Sequence, residues 1–139
     1  MPDRIESFSL FHADFDGHPL VANIDLGLRS CRDRTETPWF LSLSTPLIHS
    51  TAEGFPTKEE ASILNQWEDV VDELIARQSK FAFVGRVTWN GHRELLYYID
   101  KPEPLVQELQ RFISERKTRP FAFRCKKDAD WKDVGIYLD

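Results

Sequence analysis

An α+β fold is predicted by three features of this sequence. From residue 39 onward, segments patterned as strand, helix, strand, strand, helix and strand follow one another. The two helical segments each carry an apolar stripe at three- and four-residue spacing. Between the middle strands sits Asn90-Gly91, a two-residue turn signal flanked by apolar residues. This order is that of a ferredoxin-like split βαβ core, an antiparallel sheet with both helices on one face. A β-hairpin precedes it. The expected organisation is one domain over 1–139, with the N-terminal hairpin and loop in 1–38, the core in 39–127 and a C-terminal helical segment in 128–139.

Residues 5–13 and 19–28 alternate as strands, and "DFDGHP" between them is a turn built on Asp16-Gly17. The resulting hairpin must add to the core sheet or cover part of it. "WFLSLSTPLI" (39–48) is the third strand, with Pro46 marking an edge or an ending. Thr57 caps the first long helix, and Glu60 three residues later completes a capping box. That helix runs to about Gln78, with Ile63, Leu64, Trp67, Val70, Val71, Leu74 and Ile75 as its apolar stripe. Glu59, Glu68, Asp69, Asp72 and Glu73 lie opposite and are expected to face water. The prolines of "KPEP" open a second helix over 103–116, burying Leu105, Leu109, Phe112 and Ile113. "RPFAFRCKK" (119–127) is the last strand, and Asp128 or Asp130 caps a terminal helical piece containing Trp131, Ile136 and Leu138.

A type I′ turn at Asn90-Gly91 would set the pairing of "FAFVGRVTWNGHRELLYYID" (81–100) and allow its faces to be read. One face pairs Trp89 with His92, Val87 with Glu94, Gly85 with Leu96 and Phe83 with Tyr98. The other pairs Thr88 with Arg93, Arg86 with Leu95, Val84 with Tyr97 and Ala82 with Ile99. Both faces are apolar toward the base, so both need a cover. Two helices cover one. Partial cover of the other by the N-terminal segment is expected, which leaves a rim of Trp89, His92, Arg93 and Trp131 as the partner-binding surface.

The chain has 139 residues, 41% hydrophobic and 29% charged, a composition typical of soluble globular proteins. No apolar run approaches the roughly 20 residues needed to span a bilayer. The acidic N-terminus lacks the basic and apolar regions of a signal peptide, so a cytoplasmic protein is expected. Cys31 and Cys125 form no Cys-x-x-Cys unit, and in that compartment reduced thiols are expected of them. A net charge of −5 repels a phosphate backbone, so nucleic acid is not an expected partner. The basic clusters Arg29/Arg32/Arg34 and Arg116/Lys117/Arg119 with Arg124/Lys126/Lys127 read as solvated surface.

Candidate chemistry is sparse. In "FHADFDGH", His12 and Asp14 share a strand face and could reach one metal, with Asp16 and His18 nearby. The spacing matches no calcium loop and no helix-borne zinc site, so neither metal nor cofactor is expected. Asp69, Asp72 and Glu73 are paired carboxylates of the kind that can do acid–base work, but they oppose the apolar stripe. "SKFAFVGR" (79–86) matches an RNA-binding strand sequence in part only, with Lys80 where glycine belongs. No Gly-x-Ser-x-Gly and no phosphate-cradling glycine loop is present.

The stretches "DGHPLVANIDLGLRS", "GFPTKEEASILNQWEDVVDELIA", "FVGRVTWNGHRELLYYI" and "DADWKDVGIYLD" make the chain resemble the bacterial family catalogued as domain of unknown function 695. Its most specific parts are the glycine-containing strand with Thr88-x-x-Gly91-x-Arg93, then Trp131 with Tyr137. The family has no established activity, so the resemblance implies no catalytic residue. Some members resemble, or are joined to, a domain like the protein that inhibits ribonuclease E by direct binding, which implies binding in preference to chemistry. The expectation is a non-catalytic protein-binding module, a regulator or a neutralising, immunity-type inhibitor of a nuclease or toxin, with a protein partner or a second copy. The alternatives are a metal-dependent enzyme using His12, Asp14 and His18, and an RNA-binding domain.

Overall fold

The computed structural model describes residues 6–30 and 34–139. Among them, six strands form one antiparallel sheet: β1 (Phe8–Phe15), β2 (His18–Asp25), β3 (Trp39–Pro46), β4 (Phe81–Trp89), β5 (His92–Ile99) and β6 (Ala122–Lys127). Their order across the sheet is β1-β2-β4-β5-β3-β6. The architecture is therefore α+β, as expected, but the sheet is wider than the four strands read for 39–127. The leading hairpin extends it, because β2 pairs with β4 from Leu20↔Trp89 to Ile24↔Gly85.

Helices α1 (Lys58–Gln78) and α2 (Leu105–Ser114) pack on one face. Leu64, Trp67, Val71, Leu74, Ile75, Leu105 and Leu109 close there over Leu41, Leu43, Leu95, Tyr97 and Ile99. The stripe of α1 is rotated from the sequence reading: Ile63 and Val70 are exposed, whereas Glu60 and Glu68 are buried. Thr57 caps α1, its hydroxyl accepting from the Glu60 N–H at 3.3 Å. The carboxylate of Glu60 makes no return bond to the cap. It accepts from the Ile48 N–H at 2.6 Å and pairs with Arg119 at 2.7 Å. Burial would raise the Glu60 pKa, but the Arg119 bond, the Ile48 amide and the Arg119 charge outweigh it and hold it low.

The other face is covered mainly by the C-terminal segment, and the N-terminal segment adds the partial cover expected of it through Leu28, Leu26 and Phe11. Asp128 accepts from the Lys132 and Asp133 N–H groups, both at 3.0 Å, and winds a 3-10 turn at Lys132–Val134. Helix α3 (Gly135–Leu138) follows directly. Trp131, Val134 and Leu138 bury against Phe40, Val84, Leu96 and Tyr98, together with Leu28 of the 3-10 turn at Leu26–Ser30.

The hairpin turn is as read, with positive φ at Asn90 (48°) and Gly91 (78°). Pairing also follows expectation from Trp89↔His92 back to Gly85↔Leu96. There the register shifts, so that Phe83 faces Tyr97 and Ala82 faces Tyr98. This bulge reverses the faces of the four residues before it, Phe81, Ala82, Phe83 and Val84. Phe83 packs under the helices on Tyr97, ring centroids 5.0 Å apart, and Val84 joins the opposite core. It occurs where β4 meets β2 closely: a Cβ on Gly85 would lie 2.2 Å from the Asn23 carbonyl oxygen.

Two glycine substitutions separate the turn from this contact. At Gly91 an added Cβ meets nothing within 4 Å, so Gly91→Ala should cost only the positive-φ penalty of about 1 kcal/mol. Gly85→Ala drives a methyl into backbone and should cost several times more, roughly 3 kcal/mol or above. Urea melts of both variants check the order, and equal losses would refute the close approach of β2 to β4.

Candidate functional site

A groove opens on the α3 face of the sheet. Its first lobe, of about 410 Å³, lies between the hairpin tips and α3. Alternation along the strands places its floor residues on one face: Leu20 of β2, Val87 and Trp89 of β4, His92 and Glu94 of β5, and Ser44 of β3. Phe15 of β1 forms one wall, Ile136 and Tyr137 of α3 the other. A second lobe of about 320 Å³ shares Val87, Glu94, Ile136 and Tyr137 and adds Phe40, Arg124, Lys126 and Asp133.

Trp89 is held edge-on by Phe15 at 5.4 Å and by His18 at 6.0 Å, and its Nε1–H donates to the Phe15 carbonyl at 2.9 Å. His92 Nδ1 lies 3.1 Å from the Asn90 carbonyl. That contact requires Nδ1–H as donor and leaves Nε2 facing away as an acceptor in the neutral ring. Ile136 projects at the rim, 86% exposed. In the second lobe Arg124 lies over the Phe40 ring and Lys126 pairs with Asp133 at 2.9 Å.

Glu94 is the carboxyl common to both lobes. Burial raises its pKa, Asp133 adds to the rise, and the Ser42 hydroxyl and Arg124 oppose it. Tyr137 is likewise raised, by burial and by the charge of Glu94.

The structure sorts the residues expected at a partner surface. Trp89 and His92 line the groove, but Arg93 and Trp131 do not. Arg93 faces α1, where its Nε–H donates to Thr88 Oγ1 at 2.8 Å and Glu68 lies 3.9 Å away. Trp131 is 0% exposed, stacked on Tyr98 at 4.2 Å, with its Nε1–H donating to the Thr37 carbonyl at 3.1 Å. Its αL backbone (φ 58°) turns the ring inward. Sequence reading missed Glu94, Ile136, Tyr137 and Phe15. The Val87–Glu94 pair already placed Glu94 beside Trp89 and His92, whereas nothing local told where α3 would land.

The other candidate clusters disperse. His12 and Asp14 lie on the helix-bearing face of β1, whereas His18 meets Trp89 edge-on on the opposite face. Among the described residues, no three His, Cys, Asp or Glu side chains converge to hold a metal. Asp72 is not wholly solvated, since it accepts a short hydrogen bond from the Tyr97 hydroxyl. Glu68 is buried and paired with Arg86 at 2.6 Å. Phe81 and Phe83, the aromatics of the partial RNA-binding match, pack against the helix-side core. Of the expected basic surface, Arg119 is buried on Glu60 and Arg34 lies over Trp131. Cys125 is half-buried with a free thiol; Cys31 and Arg32 lie outside the described residues.

A family model described as a family of unknown function, DUF695, matches residues 6–139. No curated protein and no solved structure matches the chain.

The raised pKa of Glu94 has a consequence for stability. The folded chain holds this proton more tightly than the unfolded chain, so the group favours folding below its ordinary value of 4.5. That contribution is lost as pH rises through the higher folded value. Glu94→Gln should therefore resist urea better than the parent at pH 8, with the gain shrinking toward pH 4. A gain that instead grows on acidification would contradict the environment described.

Proposed function

The chain belongs to this family of unknown function, and from that premise we propose that it is a non-catalytic binding module. Its groove seats an apolar side chain of a protein partner between Trp89, Phe15 and Ile136. The observation that carries this reading is the pairing of an 86% exposed Ile136 with an aromatic-lined hollow that the fold leaves open. Exposed aliphatic and aromatic groups gathered at a concavity are what interface anchors engage.

The net charge of −5 favours a basic partner, because complementary fields speed encounter. A nuclease or toxin neutralised by occlusion is a partner of that kind. We further infer a cytoplasmic setting, and a split βαβ, ferredoxin-like core for strands β3 to β6. The order β4-β5-β3-β6 with α1 and α2 on one face supports the latter. For the former, no helix among the described residues is long and apolar enough to cross a membrane.

Titration with a purified partner recovered from the source cells tests the groove. Trp89→Ala and Ile136→Asp should each weaken binding by about tenfold or more. Ile63→Ser, on the exposed side of α1, should leave affinity unchanged. Equal affinity across all three variants would exclude the groove as the contact.

A further inference from the structure

The two edges of the sheet are built differently. Edge strands expose unpaired backbone groups, and natural sheets guard them with lysines, prolines or bulges. Strand β6 carries Arg124, Lys126 and Lys127 in six residues, and it leads directly into the segment that covers the sheet. Strand β1, "FSLFHADF", has eight residues and no lysine, arginine or proline, and it pairs with β2 in unbroken register. Among the described residues β2 is its one strand neighbour.

The direction of its free groups follows from the turn. Asp16-Gly17 joins the strands through two residues, so Phe15 and His18 face each other as a hydrogen-bonded pair. At the far end the Leu26 N–H donates to the Ser7 carbonyl at 2.8 Å, in step with that alternation. Odd-numbered residues of β1 thus bond to β2. Phe8, Leu10, His12 and Asp14 turn their N–H and C=O groups to the open edge. Their side chains share the helix-bearing face, where Leu10 is 63% exposed.

We propose that β1 is an edge-to-edge interface through which two copies of this chain join their sheets, antiparallel, across a two-fold axis. A two-fold normal to the sheet keeps each face continuous and brings like-facing residues together. The register centred on His12 uses nearly the whole strand. It sets the two His12 residues side by side, puts Leu10 of each copy opposite Asp14 of the second, and places each His12 diagonal to that Asp14. The strand has acceptor and donor side chains for itself and no repelling cation.

Light scattering over a concentration series, with amide exchange read by NMR, tests this. The wild-type chain should be a dimer at the upper concentrations, with the amides of Leu10, His12 and Asp14 protected there and exchanging freely on dilution. Leu10→Asp, which would face Asp14 of the second copy, should give a monomer with the urea midpoint of the dilute wild type. His12→Pro, which removes an outward N–H and no β1–β2 bond, should do the same. A wild-type chain that stays monomeric, or a dimer that survives both substitutions, overturns the proposal. The first result would leave the edge to a strand from another protein.

Discussion

Two adjacent tyrosines on β5 bind the layers of this protein together. Tyr97 and Tyr98 are both fully buried, and strand alternation sends them to opposite faces. The Tyr97 hydroxyl donates to Asp72 of α1, and the Tyr98 hydroxyl donates to Asp128, at 2.7 Å, where the C-terminal segment begins. Each carboxylate belongs to the element that covers that side. Burial and these bonds to anions push both phenols far above their ordinary pKa, so the hydroxyls remain donors. A buried hydroxyl left unpaired is costly, and each ring therefore requires its own cover to be seated.

The groove is a by-product of that arrangement. Tyr98 stacks on Trp131, and Asp128 winds the turn that launches α3. From that anchor α3 reaches across β5 toward β4 but covers only its base, because it is four residues long. Near the hairpin tip the sheet stays bare, and Glu94, His92 and Trp89 are left on its floor. The same carboxyl lies deep enough to hold its proton unusually well yet borders both lobes. The site thus combines an apolar anchor pocket with a carboxyl shared by its two lobes, and both come from the position of the C-terminal segment.

Much of this was legible locally. The Asn90-Gly91 and Asp16-Gly17 turns, the Thr57 cap and the Asp128 cap depend on residues within a few positions, and each is present. What could not be read depends on partners far along the chain. Glu60 is buried because Arg119, 59 residues away, comes to meet it. Phe83 and Val84 exchange faces because β2 presses on Gly85, and no property of the hairpin itself signals that contact. Trp131 looked like a rim residue until the αL backbone turned it into the core. Of the site, Trp89 and His92 were visible from the turn; Ile136 and Tyr137 needed the tertiary fold.

The charges under α1 reinforce the register that the Asn90-Gly91 turn sets. Glu68 is buried between Arg86, at 2.6 Å, and Arg93, at 3.9 Å, while Glu94 points to the opposite face. Slipping β5 by one residue would carry Arg93 to the groove side and bring Glu94 under α1, beside Glu68. Two carboxylates would then share a site that excludes water, and Thr88 would lose its guanidinium donor. Apolar matching alone would discriminate weakly here, because both faces of β5 are hydrophobic at the base and a slip exchanges one large side chain for another. The buried ion pairs contribute little net stability against an apolar core, but they make the wrong register expensive. With that register held, Trp89, His92 and Glu94 can face the groove together.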